Sequence, residues 1–358
     1  MHRKLNRALT LLVFALVAVV AACSSSSDNR VTAQPGSTST PAKPLPQSVR
    51  VGYFPNVTHA QPLVGIKEGI FQQELGGVTI EPKIFNAGPA EIEALFAGAI
   101  DIGYVGPSPA VNGYVQSRGD ALRIVAGAAS GGAALIVRAD ETIATAKDLA
   151  GKKIASPQLG NTQDIALRQY LVDNGLKAKE NGGSVEVLPV ANPDILSLFQ
   201  RKQIDAAWVP EPWATRLVSE AGGRLFVDER TLWPNGKFAT TVVVARRQFL
   251  QDQPEVVRRW LRGHLKTTQF IADHSDRVKA DVAAEILRLT QVPISDALVM
   301  GAFADTDFVV DPIANSVQVA AQRAYALGFL NGKPDLTNIF DLTLLNGVLA
   351  ELKLPQVK

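Results

Sequence analysis

Residues 95–108 read LFAGAIDIGYVGPS, and residues 199–212 read FQRKQIDAAWVPEP. Set 104 positions apart, the two stretches fall into step. Ile100-Asp101 lies over Ile204-Asp205, Tyr104 over Trp208 and Val105 over Val209. In each, the end of an apolar helix leads into a short strand, and the strand runs into a proline-containing turn that opens another helix. One such unit is half of a doubly wound sheet, so two of them predict two α/β lobes. In sheets of this kind ligands gather beyond the carboxyl ends of the strands, where loops and helix starts meet. The repeat therefore places residues 106–108 and 210–213 on opposite walls of one cleft.

The same alternation extends outward from these stretches. Short apolar, β-branched runs occur at 49–54, 78–85, 100–105, 122–128, 134–139, 152–156, 185–190, 206–209, 225–228 and 240–245. Helical periodicity separates many of them, as at 89–98 and 162–174. Short strands alternating with helices predict βαβ units and mostly parallel sheets. Beyond Arg246 the pattern turns helical, at 255–273, 276–289, 296–303, 312–330 and 341–352. A chain of 358 residues is long enough for about two domains.

Composition removes several classes of function. The chain carries 36 Lys+Arg against 34 Asp+Glu, so no global field exists to hold a nucleic acid. It has one cysteine, which can form neither an internal disulfide nor a Cys-rich metal site. That cysteine is placed informatively. Arg3, Lys4 and Arg7 precede an apolar stretch from Ala8 to Ala22, too short to span a bilayer but typical of a secretory signal over residues 1–22. Val20-Ala21-Ala22-Cys23 resembles the bacterial lipobox, in which cleavage before the cysteine exposes a sulfur that receives a diacylglycerol. Residues 23–48 are rich in Ser, Thr and Pro with little to bury, which predicts a flexible tether. A lipid at Cys23 would hold a globular body at a membrane face without a spanning helix. Cleavage also removes three positive charges, leaving the mature chain at a formal −1.

The catalytic inventory is nearly empty. The segment Gly106-Pro107-Ser108-Pro109-Ala110 lacks the last glycine of a nucleophile elbow. There is no His-Glu-x-x-His, no Walker loop and no Gly-x-Gly-x-x-Gly after a strand. His264 lies in a helix bearing basic residues on several sides and is expected at the surface. The pair Glu91/Glu93 is expected on a solvated helix face. No metal and no cofactor are implied.

What recurs instead is a strand-to-helix junction made of small polar residues: Asn56-Val57-Thr58-His59, Gly106-Pro107-Ser108, Ser130-Gly131-Gly132 and Gly160-Asn161-Thr162-Gln163-Asp164. The first amides of a helix lack intrahelical partners and sit at the positive end of its dipole. Each junction alone is an ordinary N-cap. Four in one chain point to a shared oxyanion pocket.

These residues carry a family resemblance. Gly52-Tyr53-Phe54-Pro55-Asn56 with His59-Ala60, then Gly65-Ile66-x-x-Gly69-Ile70-Phe71, are followed by Asn86-Ala87-Gly88-Pro89, Leu95-Phe96-Ala97-Gly98 and Asp101-Ile102-Gly103-Tyr104. Asp148-Leu149-x-Gly151-Lys152-Lys153-Ile154-Ala155, Gly160-Asn161-Thr162 and Trp208-Val209-Pro210-Glu211-Pro212 continue the series. Together they resemble the solute-binding receptors of ABC importers in the nitrate, sulfonate and taurine group, over nearly all of residues 49–330. The resemblance implies a type II periplasmic-binding-protein-like fold, two lobes joined by crossover strands with a helical C-terminal section. Lobe 1 would comprise 49–139 and 241–358, and lobe 2 would comprise 140–240.

It also implies a site for one small anion. Asn56 and His59 would stand at the end of the first strand, Gly106 and Ser108 at the next helix start, and Ser130 and Gly131 beside the hinge. From the second lobe Asn161, Thr162 and Gln163 would face them, with Trp208, Glu211 and Trp213 as the far wall. Neutral donors suffice for a sulfonate or nitrate, because bonds to a charged acceptor are short and strong. Glu211 would either meet an amine on the ligand or cap its own helix. The implied partners are a small anionic solute and a membrane permease, with the protein a monomer. A receptor for a pyrimidine or vitamin precursor remains open, as does a sensor. A same-fold enzyme acting on a sulfinate would need a cysteine nucleophile, and the one cysteine lies at the lipidation motif.

Overall fold

The computed structural model describes residues 44–358. Cys23 and the predicted signal lie outside the described residues, as does nearly all of the predicted tether. The first strand, β1 (Ser48–Tyr53), is followed by β2 (Thr79–Ile84), β3 (Ile102–Val105) and β4 (Leu122–Gly131). Next come β5 (Ala133–Arg138), β6 (Lys153–Ser156), β7 (Glu186–Pro189), β8 (Ala206–Pro210) and β9 (Gly223–Asp228). Strands β10 (Ala239–Arg246) and β11 (Thr306–Phe308) complete the set. They form two sheets, ordered β11-β4-β10-β3-β1-β2 and β7-β6-β8-β5-β9.

The two sheets share one plan. In the first, β2, β1 and β3 run parallel, and β10 pairs antiparallel with both β3 and β4. In the second, β7, β6 and β8 run parallel, and β5 pairs antiparallel with both β8 and β9. The antiparallel strand of each sheet is the one that arrives from the other lobe. Alternating βα signals predict parallel neighbours and do not register these two returns, so the sheets are mixed rather than mostly parallel.

The first crossing also comes earlier than the expected boundary at residue 139. It occurs between β4 and β5, at Gly131 and Gly132, both with positive φ (72° and 63°). Residues 133–138 therefore pair with the second sheet, not the first. Glycine reaches this left-handed backbone at low cost, and the chain turns from one sheet into the next within two residues.

The repeated Ile-Asp does the same work in both sheets. The N–H of Asp101 bonds to the carbonyl of Arg50 on β1, and Arg246 at the end of β10 bonds back to the carbonyl of Asp101. The N–H of Asp205 bonds to Lys153 on β6, and Arg138 at the end of β5 bonds to the carbonyl of Asp205. Each aspartate thus ties the central parallel strand to the strand that has crossed over.

Period-two alternation sorts the strand residues onto the two faces of each sheet. Tyr104, Val243 and Ala245 pack on one side of the first sheet and Val105, Val242 and Val244 on the other. Leu135, Val137 and Trp208 pack on one side of the second, with Ala134, Ile136 and Val209 on the other. Each large apolar side chain so buried contributes about 1.5–3 kcal/mol. The helical section past β10 covers the first sheet, and β11 joins that sheet at its edge.

Two expectations are reversed in this first lobe. Glu91 is fully buried, not solvated. A Cβ at Gly52 or Gly103 would come within 2.4 or 2.5 Å of its Oε1, so those glycines make its room. Burial pushes its carboxyl well above the usual range. His264 is also fully buried. Val257, Trp260, Leu261, His264 and Leu265 form the inward stripe of the helix Pro254–Asp273, while its arginines take the other positions. The His264 Nε2–H donates to the Gly127 carbonyl at 2.9 Å, and Nδ1 accepts from the Tyr104 hydroxyl at 3.0 Å. Burial lowers its pKa to about 4.

Candidate functional site

Between the sheets, helix starts from both lobes converge on one chamber. Its walls include Asn56, Thr58 and His59 from the turn after β1, Asn86, Gly106, and Thr240 and Thr241 of β10. Asn161, Gln163, Asn192 and Pro210 come from the second lobe. The helices Gly88–Phe96, Pro107–Gln116, Thr162–Asp173, Asn192–Gln200 and Trp213–Ala221 all begin at or beside this rim. None of the lining residues is a lysine, arginine or acid. The field in the chamber is therefore set by amides, hydroxyls and helix dipoles.

The lobes touch where two of these helix starts meet. The N–H of Ser108 donates to Thr162 Oγ1 at 3.4 Å. Pro107 and Pro109 lack an N–H, so Ser108 presents the one amide of that first stretch. Its hydroxyl is buried and has no hydrogen-bond partner. Opposite, the first amides of the helix Thr162–Asp173 have no intrahelical acceptor. A second link across the cleft is the Trp213 indole N–H, which donates to Asn56 Oδ1 at 2.9 Å. The chamber holds about 20 Å³, room for about one water molecule.

The turn that presents Thr162 is held from beneath. Asp164 is fully buried and accepts from Ser156 Oγ at 2.8 Å and from the Gly160 N–H at 2.9 Å. Arg168 donates to it at 3.0 Å from the next turn of the same helix.

His59 is neutral. Its Nδ1 accepts from the Phe54 N–H at 3.3 Å, which leaves the ring proton on Nε2 as a donor. Burial lowers its pKa to about 3. Asn161 is the residue before its helix, and its amide donates to Gln163 Oε1 at 3.3 Å.

The remaining expected site residues are not among those that line the chamber. Ser130 and Gly131 lie in the crossing itself: the Phe238 N–H donates to Ser130 Oγ at 3.4 Å, and the Thr240 hydroxyl donates to the Gly131 carbonyl. Glu211 turns to its own helix, accepting from the Thr215 hydroxyl at 2.9 Å and the Thr215 N–H at 3.2 Å. Burial raises its pKa to about 7 despite those bonds. Trp208 does not join the far wall. It is fully buried on a face of the second sheet, edge-on to Tyr170 at 5.5 Å. The aromatic alternation along β8 marks it as large and apolar but does not say which side of the strand end it serves.

Several lining residues escaped the sequence reading. Asn192 is buried, and its Oδ1 has no hydrogen-bond partner. The sequence signal for it was available, since Asn192-Pro193 opens a helix just as Gly106-Pro107 does. Thr240 and Thr241 carried no signal, because a strand start reads like any β-branched run. A roomier groove of about 560 Å³ lies in the first lobe, among Leu265, Ile271, Phe308 and Leu349. Its Thr306 and Asp307 pair with Gly131 and Ser130 of the crossing, but it shares no lining residue with the chamber. Among the described residues no group of three or more His, Cys, Asp or Glu could hold a metal ion.

Comparison with known proteins agrees with this architecture. A model of the NMT1-like family matches residues 42–288. The taurine-binding periplasmic protein of Escherichia coli is 29% identical over 242 residues, 67% of this chain and 72% of that one. The alkanesulfonate-binding protein SsuA of Xanthomonas axonopodis pv. citri, solved with MOPS bound, superposes with a TM-score of 0.67 at 22% identity, covering 81% of this chain and 96% of that one. The periplasmic nitrate-binding protein NrtA of Synechocystis superposes with a TM-score of 0.73 at 14% identity, covering 88% and 91%. The two superpositions show a shared fold.

Proposed function

The chain belongs to the NMT1-like family, and from that premise we propose that it is an extracytoplasmic solute receptor. It captures a small oxyanion, of the aliphatic sulfonate, taurine or nitrate kind, between its two lobes. The closed form then docks on an ABC permease and delivers the solute. Cys23 carries the lipid that anchors the protein to the membrane, residues 23–48 are the tether, and the protein works as a monomer.

One observation carries the choice of an oxyanion. Ser108 and Thr162 bring two helix starts to one point from opposite lobes, with a buried, unpartnered hydroxyl at Ser108. Three or four neutral donors converging there match the oxygens of a sulfonate or nitrate and need no lysine or arginine. Asn56, His59, Gly106, Asn161, Gln163 and Trp213 complete the walls, and Asn192, Thr240 and Thr241 join them. Its named relatives are binding proteins, and capture rather than turnover is the role these residues support. A polar ring is the second reading, favoured by the amides of Asn86, Asn161, Gln163 and Asn192, which offer donors and acceptors together.

Calorimetric titration with taurine, alkanesulfonates, nitrate, bicarbonate and a pyrimidine tests this. Micromolar or tighter binding of an oxyanion, a gain of about 8 kcal/mol or more, is the expected outcome. Binding of the pyrimidine alone would move the protein to the second reading, and no binding of any oxyanion would contradict the first.

A further inference from the structure

Ser108 and Thr162 themselves line a second chamber, next to the one walled by Gly106, Asn161 and Gln163. There the same two residues meet Glu229, Trp233, Phe238 and Arg323. Glu229 belongs to the segment that crosses back from β9 to β10, and it is 1% exposed. Its Oε2 accepts from the Trp208 indole at 2.8 Å and its Oε1 from the Trp233 indole at 3.3 Å. Both donors are neutral. Arg323 lies over the ring of Trp233, 4.3 Å from its centroid, and that indole also stacks on Phe238. The guanidinium reaches the carboxylate only through space, and neighbouring Asp228 adds a charge of the wrong sign. A desolvated carboxyl is thus left with two neutral hydrogen bonds in a cavity that Ser108 and Thr162 also line.

That pairing is selective. A simple anion gains at the two helix starts but brings its charge near a carboxylate. A cation gains at the carboxylate and meets the positive ends of two helices. Only a ligand with both charges gains at both places. We propose that Glu229 reads the far end of the ligand, and that the ligand is a short zwitterion, an oxyanion carrying a protonated amine. This rests on the oxyanion site proposed above and adds to it the residue that sets specificity. Glu211, with both oxygens turned to Thr215, is left as a helix cap. Burial raises the Glu229 pKa to about 7, against the pull of the indoles and Arg323, so an ammonium beside it would also draw it into the charged form.

The test compares matched ligands on the full chain by calorimetry. Taurine and propanesulfonate have nearly the same size and differ in the terminal amine. Wild type should favour taurine by about tenfold or more, the usual worth of a charge-assisted bond in a buried site. Glu229→Gln keeps the shape and one acceptor for the indoles. It should bring the ratio to within about threefold, by weakening taurine and leaving propanesulfonate as tight or tighter. Equal binding of the two by wild type, or a preference for taurine that survives in Glu229→Gln, would overturn the proposal. The wild-type comparison needs no variant and decides whether the ligand carries an amine; Glu229→Gln, or Glu229→Asp should the first fail to fold, decides whether Glu229 is the group that reads it. Sulfonates bound without an amine preference count against Glu229 alone. Failure of every sulfonate to bind defeats the oxyanion site, and this inference with it.

Discussion

Replacing Gly106 with alanine should abolish tight ligand binding while both lobes stay folded. A Cβ at this position would lie 2.1 Å from Thr162 Oγ1 and 3.1 Å from Thr162 Cβ. The first distance is below any real contact, and the second leaves no slack. The backbone at Gly106 is at φ −66° and ψ 153°, a conformation alanine adopts freely, so the first lobe itself is not strained. The clash exists only when the two helix starts meet. The methyl group therefore acts on closure and on little else. Affinity should fall by about a hundredfold or more, some 2.7 kcal/mol, with thermal stability of the unliganded chain changed by less than about 1 kcal/mol. Combining Gly106→Ala with Thr162→Gly removes both clashing atoms and should recover part of the loss, short of wild type because the Thr162 hydroxyl is gone. Calorimetry paired with thermal melts separates the outcomes. Wild-type affinity in Gly106→Ala would mean that ligand binding does not need this contact.

The second large effect is on stability. Asp101 is 2% exposed. Its Oδ2 accepts from the Arg50 N–H at 3.0 Å and from Arg50 Nε at 2.8 Å. Its Oδ1 accepts from Arg50 Nη2 at 2.6 Å and Arg246 Nη2 at 3.0 Å. Truncation to alanine leaves a backbone amide and two guanidinium groups without their acceptor. Losing one partner of a buried pair costs about 3–5 kcal/mol. The arginines are 33% and 24% exposed, so water recovers part of that, and about 2–4 kcal/mol is expected here. Asp205, its counterpart, is a useful control. Its carboxylate accepts from the Lys153 N–H at 2.7 Å, so Asp205→Ala should cost only about 1 kcal/mol. The pH dependence follows from the same contacts. Burial alone would raise the Asp101 pKa, but the bonds from Arg50 and Arg246 outweigh it and hold the carboxyl below its usual value. The stability it contributes is therefore present above about pH 4, the unfolded value, and is lost as the pH falls through the folded one. In urea titrations the gap between wild type and Asp101→Ala should close in acid. An Asp101→Ala loss no larger than that of Asp205→Ala would contradict the role assigned to this cluster.

These two residues also show what could be read from the chain alone. The Ile-Asp repeat was legible because both copies do one local job, ending a helix turn and bonding the central strand to its returning neighbour. The ten strands of β1 to β10 were legible for the same reason, since each carries its own apolar alternation. What escaped depends on parts of the chain far apart in sequence. Trp208 is large and apolar at a strand end, and only the packing of Tyr170 and Glu229 against it shows that it belongs to the interior. Asp228-Glu229-Arg230 looks like any charged turn until the crossing folds it over two indoles. Glu91 resembles a solvated helix acid, and nothing local says that Gly52 and Gly103 leave a hole for it. His264 is the exception. Its place in the inward stripe was visible in the spacing, but the surrounding arginines suggested a surface.

The measurement that bears most directly on the central claim is a crystal structure of the full chain grown with methanesulfonate. The sulfonate is expected between the lobes, its oxygens within hydrogen-bonding distance of the Ser108 N–H and hydroxyl on one side and the first amides of the helix Thr162–Asp173 on the other. A sulfonate bound elsewhere, such as the groove beside Leu265 and Phe308, or held by one lobe alone, would contradict the account.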